Sequence, residues 1–352
     1  MGGIDGKRNR AVAAWLLVCC LMVFATLVVG GATRLTHSGL SIVEWQPIVG
    51  SVPPITEADW QTVFAKYQLT PEYQKVNHRM SLEEFKPIFW WEFIHRLLGR
   101  TIGVVFFLPF AYFLVRRRLD PPMVPKLIGI FLLGALQGGM GWYMVQSGLV
   151  DDPRVSQYRL TAHLGIAFLI FAAMFWLALG ILTRPAVKAI AAAAPLVSLR
   201  RYAAWLALIV FVMALSGGFV AGLHGGLRYN TFPLMGGDFL PADMFLLEPW
   251  LLNFFDNPST AQFDHRLIAW VLAFLALLFW VKAQRVPLAR RTRLAVNLLL
   301  LAFVAQLTLG ILTLLLVVPV PLAVAHQGGA MVLFAASLWA WQELRVDKGG
   351  AV

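Results

Sequence analysis

Charge is scarce in this chain. Of its 352 residues only 13% are Asp, Glu, Lys or Arg, with 18 acidic against 29 basic, where an ordinary soluble domain carries about a quarter. Cysteine is scarcer still: the two present, Cys19 and Cys20, are adjacent, so no disulfide framework can staple a small secreted fold. Apolar residues make up 59%, above the roughly 45–50% of soluble domains. A water-soluble globular protein is therefore a poor fit. The net charge of +11 raises the question of nucleic acid. The basic residues, however, gather at the ends of apolar runs, as membrane topology places them, and no nucleic-acid partner is expected.

What is abundant is long apolar runs. Eight of them, near 11–33, 88–115, 125–147, 158–183, 201–223, 262–282, 293–316 and 321–342, are about 20 residues or longer, the length a helix needs to cross hydrocarbon. The lipid bilayer is the first partner that the sequence implies. Short connections bearing Arg116, Arg117, Arg118 and Lys126, then Arg184, Lys188, Arg200 and Arg201, then Lys282, Arg285, Arg290, Arg291 and Arg293 predict cytoplasmic loops, which puts both termini inside. The alternate connections 34–87, 148–157, 224–261 and 317–320 then face outward. The first run follows Lys7, Arg8 and Arg10 and is too long for the apolar core of a cleavable signal, so it reads as a retained anchor.

The two halves repeat. Gly30-Gly31 and His37-Ser38-Gly39-Leu40 match Gly217-Gly218 and His224-Gly225-Gly226-Leu227 at an offset of 187, and His95-Arg96-Leu97 matches His265-Arg266-Leu267 at 170. Gln137 and Gly141 match Gln306 and Gly310 at 169, and Ala162-His163-x-Gly165 matches Ala325-His326-x-Gly328 at 163. Four crossings per half give both copies the same direction through the bilayer, a parallel repeat. The expected fold is an all-α membrane protein of eight transmembrane helices, arranged as two pseudo-two-fold-related four-helix bundles, residues 1–187 and 188–352. Gly134-x-x-x-Gly138 permits close helix packing, within a bundle or between protomers of a homo-oligomer.

Six of the seven histidines fall into repeat-related pairs, and only His78 is unmatched. His95, His163, His265 and His326 are each expected within about two turns of the outer start of a helix, two per bundle at similar depth. A haem inside a four-helix bundle takes axial ligands from facing helices, and two imidazoles per bundle meet that need. The alternatives are polar side chains bonding neighbouring helices, or zinc, which wants three or four clustered ligands. His37 and His224, just beyond Gly-Gly-containing helix ends, either touch a haem edge or cap the loop. Arg96 and Arg266, with Arg34, Arg159 and Arg228, either meet propionates or anchor the interface.

The halves differ at one place. Glu92 precedes His95 by three residues, and its counterpart before His265 is the neutral Gln262. A carboxylate there either pairs with Arg96 at i, i+4 or marks the half that does proton chemistry while the other carries electrons.

Glu92-Phe93-Ile94-His95-Arg96, Ala162-His163, Phe263-Asp264-His265-Arg266, Ala325-His326-Gln327 and the outer segment Thr33-Arg34-Leu35-Thr36-His37-Ser38-Gly39-Leu40-Ser41-Ile42-Val43-Glu44-Trp45 together resemble the haem A synthase family, over nearly the whole chain. The resemblance implies an oxidoreductase of haem A biosynthesis and cytochrome oxidase assembly, sited in a bacterial inner membrane. It implies that haem O is the substrate, that His95 and His163 address it, and that Glu92 serves its reaction. That reaction would be successive hydroxylation of a methyl group to a formyl group. It further implies a haem b cofactor held through its iron by His265 and His326 that takes the electrons, and the haem O-forming protohaem farnesyltransferase as an upstream partner. Some bacterial relatives carry a cysteine pair in the first outer loop; none stands between Arg34 and Glu92, so the chain is similar to the proteobacterial and mitochondrial branch. Two other classes compete: a di-haem b-type electron-transfer cytochrome, and a transporter, for which polar groups near the membrane midplane would be expected.

Overall fold

The computed structural model describes residues 2–46, 49–149, 153–183 and 193–345, which form helices and, apart from one isolated bridge between Met235 and Asp238, no β-structure. The helices are α1 (Gly2–Leu35), α2 (Glu57–Gln68), α3 (Pro71–Lys75), α4 (Leu82–Val115), α5 (Val124–Gly148), α6 (Gln157–Leu182), α7 (Ala193–Gly222), α8 (Asn253–Asp256), α9 (Pro258–Gln284), α10 (Arg290–Leu315) and α11 (Val320–Glu343). Among the described residues eight of them, α1, α4, α5, α6, α7, α9, α10 and α11, are long and apolar enough to cross a membrane. Their exteriors are apolar: Leu21, Leu108, Leu132, Trp205, Phe274 and Leu301 are all exposed large hydrophobics. In water such a surface would associate, whereas lipid tails solvate it. The chain is a multi-pass membrane protein. Cys19 and Cys20 are free, buried thiols.

The expected spans and the helices agree closely at most ends. The largest differences are the starts of α1, α4 and α7, which begin several residues earlier than hydropathy alone implies. The cause at α4 is a capping box, in which Ser81 accepts from the Glu84 N–H while the Glu84 carboxylate takes the Ser81 N–H. At 34 residues and 1.5 Å per residue, α4 is about 51 Å long, roughly 20 Å more than the hydrocarbon needs. His95 consequently lies more than three turns into its helix, deeper along it than expected. The predicted loop residues Arg184 and Lys188 and the predicted boundary between 187 and 188 lie outside the described residues.

The chain divides into two compact units, Leu21–Ala167 and Met1–Cys20 with Phe168–Val352, so the division falls inside α1 and α6. In the first unit, the excess length of α4 carries Phe85, Phe89 and Phe93, which bury Trp60 and Tyr67 of α2 in an aromatic core. Trp60 meets Phe89 edge-on at 5.0 Å, and Tyr67 packs on Phe85 at 4.9 Å, geometries favoured by ring quadrupoles. Thr56 and Asp59 form the capping box that starts α2, and Thr70 caps α3, whose first residue is Pro71. This small helical layer inside the connection 36–81 was not expected from the sequence. In the second unit, α7 packs on α9, α9 on α10, α10 on α11 and α11 on α7, a closed ring of four helices.

Candidate functional site

Each of the four histidines near the ends of the bundles is positioned twice, by a polar partner and by a glycine. His95 Nδ1 donates to the Thr26 carbonyl at 3.2 Å, which leaves Nε2 as the ring's acceptor nitrogen, the one that could take a metal. His265 Nδ1 lies 2.8 Å from Ser216 Oγ, and Gln306 Nε2 reaches both Nδ1 and the carbonyl oxygen of His326, at 3.1 and 2.9 Å. His163 differs: its Nε2 faces Gln137 Nε2 at 3.4 Å, and its Nδ1 is buried without a partner. Partners of this kind fix a ring's orientation before any metal arrives.

The glycines supply the room. A Cβ at Gly30 would lie 2.6 Å from His95 Cε1, at Gly141 3.0 Å from His163 Cε1, at Gly217 3.2 Å from His265 Cε1 and at Gly310 2.8 Å from His326 Cε1. Any side chain at these four places would push the imidazole aside. The glycines that mark the repeat in the sequence are therefore the sockets of its histidines.

In the second unit the two rings are brought together. His265 and His326 stand with centroids 6.4 Å apart and planes at 83°. Two imidazoles each about 2 Å from a shared metal would place their centroids roughly 6 Å apart, so the pair fits one iron between them. In the first unit His95 and His163 are near enough to interact electrostatically. Among the described residues no group of three or more His, Cys, Asp or Glu side chains is arranged for a metal ion. Zinc would ask for that; an axial pair does not.

Glu92 is buried, and four donors converge on it. Ser41 Oγ and the Ile42 N–H donate to Oε2 at 2.7 and 2.9 Å, while Arg96 Nε and Nη2 donate to Oε1 at 3.0 and 2.5 Å. A carboxyl group receiving four hydrogens is an ionised acceptor. The i, i+4 pair with Arg96 is thus present, and Arg96 also donates to the carbonyls of Ile42 and Glu44, which ties the connection after α1 to α4. In the second unit Gln262 Nε2 donates to the Tyr229 carbonyl, and Arg266 donates to the carbonyls of Tyr229 and Thr231. Gln262 Oε1 and Arg266 Nε are left buried without partners, one acceptor and one donor on the face where the first unit places its ion pair.

His37 and His224 are both exposed and both left-handed, with φ of 53° and 54°, ending α1 and α7. They serve as helix-terminating residues in matched places. Of the remaining arginines, Arg159 stacks over Tyr143 at 4.1 Å, and Arg228 pairs with Asp243 at 2.6 Å. Asp243 also accepts from Tyr229 Oη and Ser259 Oγ, each at 2.6 Å. Burial opposes its ionisation, but the donors from Ser259, Tyr229 and Arg228 prevail and hold the carboxyl down at about 2. Sequence reasoning missed this hub, and missed Glu72, a buried acid in α3. A capping pattern at Thr56 and Thr70 was the available signal for the helices around Glu72.

Residues 13–338 match the family described as cytochrome oxidase assembly protein. The chain is similar to proteins named Heme A synthase from Nitrosospira multiformis, 62% identical with 96% of this chain and 94% of the relative covered, and from Nitrosomonas eutropha, 58% identical with 96% and 95% covered. A third, from Paramagnetospirillum magneticum, is 52% identical with 96% and 94% covered. With paired histidines in each unit and this likeness along almost its full length, the chain belongs to the haem A synthase family of membrane oxidoreductases.

Proposed function

We propose that this chain oxidises a methyl group of haem O to the formyl group of haem A, with the substrate addressed by His95 and His163 and a haem b held by His265 and His326. The name Heme A synthase, borne by its relatives, supports the reaction. The division of labour rests on one observation: the place that the carboxylate of Glu92 holds in one unit is held by the neutral Gln262 in the other. Two successive hydroxylations convert the methyl to an alcohol and then to a gem-diol, which loses water to give the aldehyde. Each hydroxylation breaks one C–H bond and forms one C–O bond at the substrate carbon; written with water as the oxygen donor, it releases two electrons and two protons. A bound haem b supplies a redox station through which electrons leave.

The chain's own residues hold the geometry and move the proton. Ser216 and Gln306 orient the two ligand rings of the second unit. Glu92 accepts the proton from the substrate, and Ser41 decides where. Of its four donors only the Ser41 hydroxyl can turn round and accept instead, so the proton settles on Oε2. The bacterial inner membrane, with both termini and the basic loops near Arg117 and Arg291 on the cytoplasmic face, is part of this reading, as is supply of haem O by the farnesyltransferase that forms it.

Porphyrin extraction from the purified protein tests the proposal. Haem b together with haem O, a hydroxylated intermediate or haem A is the expected result. Haem b alone, at two per chain, would favour a di-haem electron-transfer cytochrome instead.

A further inference from the structure

Glu72 sits in α3 with its side chain 6% exposed. One of its carboxyl oxygens, Oε2, is buried with no hydrogen-bond partner. The Tyr67 hydroxyl interacts with the carboxyl; Tyr67 itself is fully buried and takes the Asn77 amide at 2.8 Å. Phe85, Phe89 and Phe93 close the surroundings. A carboxylate with an orphaned oxygen in an aromatic core is costly, and a neutral acid there costs far less. The same core connects Glu72 to the Glu92 centre: Ile42 packs its side chain against the cluster and donates its N–H to Glu92 Oε2.

We propose that Glu72 is a second proton-holding carboxyl of the Glu92 centre, so that the two acids share one proton and Glu72 gives its own to water when Glu92 takes one from the substrate. This rests on the proton role given to Glu92 above. At rest Glu92, with four donors, is the ionised member and Glu72 the protonated one. When Glu92 is neutralised, the charge opposing ionisation of Glu72 disappears and its O–H releases a proton. One proton enters, one leaves, and no electron is involved. Water is close, since the next turn, Gln74 to Val76, is exposed.

The electrostatics agree with this placement. Burial first, then the charge of Glu92, push the Glu72 carboxyl up to about 7, against the Tyr67 hydroxyl, which lowers it. Tyr67 on α2 and Glu92 on α4 are the titratable groups that face it. Coupled acids of this kind titrate as a pair. Glu72 acts through Glu92 and is a positioning residue.

Infrared titration of the full-length protein in lipid, without added substrate, tests the coupling. The C=O band of a protonated carboxylic acid is expected below neutral pH and lost above it. Glu72→Gln should remove that band, Glu92→Gln should move its midpoint to lower pH, and Tyr67→Phe should move it to higher pH. In turnover, the pH profile of haem O conversion should carry a limb at the same midpoint that Glu72→Gln abolishes. A band that survives Glu72→Gln, or that Glu92→Gln leaves in place, overturns the coupling. Full conversion of haem O by Glu92→Gln overturns instead the reading of Glu92 on which the proposal rests. The two shifts are read on Glu72 itself, so they decide the matter even if Glu72→Gln fails to fold.

Discussion

Arg96 of the first unit directs Nε and Nη2 to Glu92 and still reaches the carbonyls of Ile42 and Glu44. Arg266 of the second unit reaches the Tyr229 and Thr231 carbonyls beside a neutral glutamine, and leaves Nε without a partner. Both arginines tie a long connection to the start of a membrane helix, so that task needs no acid. Burying a carboxylate and a guanidinium together is also poor value as stabilisation, since desolvation offsets much of the attraction. The acid in the first unit therefore calls for a reason other than holding the loop. The connections repeat the contrast: donors from Ser259, Tyr229 and Arg228 hold Asp243 down at about 2 against burial, while burial pushes Glu72 up to about 7.

The largest effect should come from the ligand rings. His265→Ala or His326→Ala is expected to abolish the bound haem b spectrum, because the remaining imidazole cannot complete the axial pair. His95→Ala and His163→Ala should deplete substrate haem chiefly. Equal loss of one haem in all four variants would break the distinction between the units. Next is Glu92→Gln, which removes the charge and keeps the shape. Conversion of haem O should fall by about 10²–10⁴-fold, the range for a lost general base, while haem b content stays near wild type. Losing half of a buried pair ordinarily costs roughly 3–5 kcal/mol. Arg96 retains its two carbonyls, so thermal unfolding should show the lower end of that range. The converse variant, Gln262→Glu, should give Arg266 Nε an acceptor and conversion no gain.

A smaller effect separates the sockets. Alanine at Gly30, where the clash is 2.6 Å, should disturb its histidine more than alanine at Gly217, where it is 3.2 Å. Overpacking of this kind costs about 1–3 kcal/mol, and the haem spectrum of each variant reports which ring moved. The smallest effect concerns pH. Asp243 is depressed to about 2 in the folded chain, against about 3.9 unfolded. Its contribution to stability is therefore in place above pH ~4 and lost as pH falls toward 2. Asp243→Asn should flatten acid-induced loosening of the 223–257 connection in that window, as followed by limited proteolysis, without altering haem content.

Run length made the eight crossings legible, because a bilayer imposes one thickness on every span. The early start of α4 was not, since Phe85 and Phe89 are held by α2, a partner encoded in a stretch that hydropathy reads only as an outward-facing connection. The histidine pairs were visible because duplication displays them twice. The glycines opposite them were seen as markers of the repeat, but what they touch depends on which helices adjoin, which no local pattern states. Glu92 with Arg96 followed from helical spacing. The bonds from Ser41 and Ile42 did not, because they cross some 50 residues of chain. Glu72 left no trace in the sequence at all, being one acid in a polar stretch until the aromatic layer closes over it.

The socket of each of the four bundle histidines lies on the membrane helix that immediately precedes it. Thr26 and Gly30 of α1 receive His95 of α4, and Gln137 and Gly141 of α5 receive His163 of α6. Ser216 and Gly217 of α7 receive His265 of α9, and Gln306 and Gly310 of α10 receive His326 of α11. Each imidazole is thus oriented within a single helical hairpin, the smallest piece that can enter a bilayer with its backbone satisfied. As the chain is synthesised, the recess is laid down first and the ring arrives with the next helix, so each of the four rings is aimed within its own hairpin before the two hairpins of its bundle join. Joining two hairpins then brings two imidazoles into one bundle from parts already set.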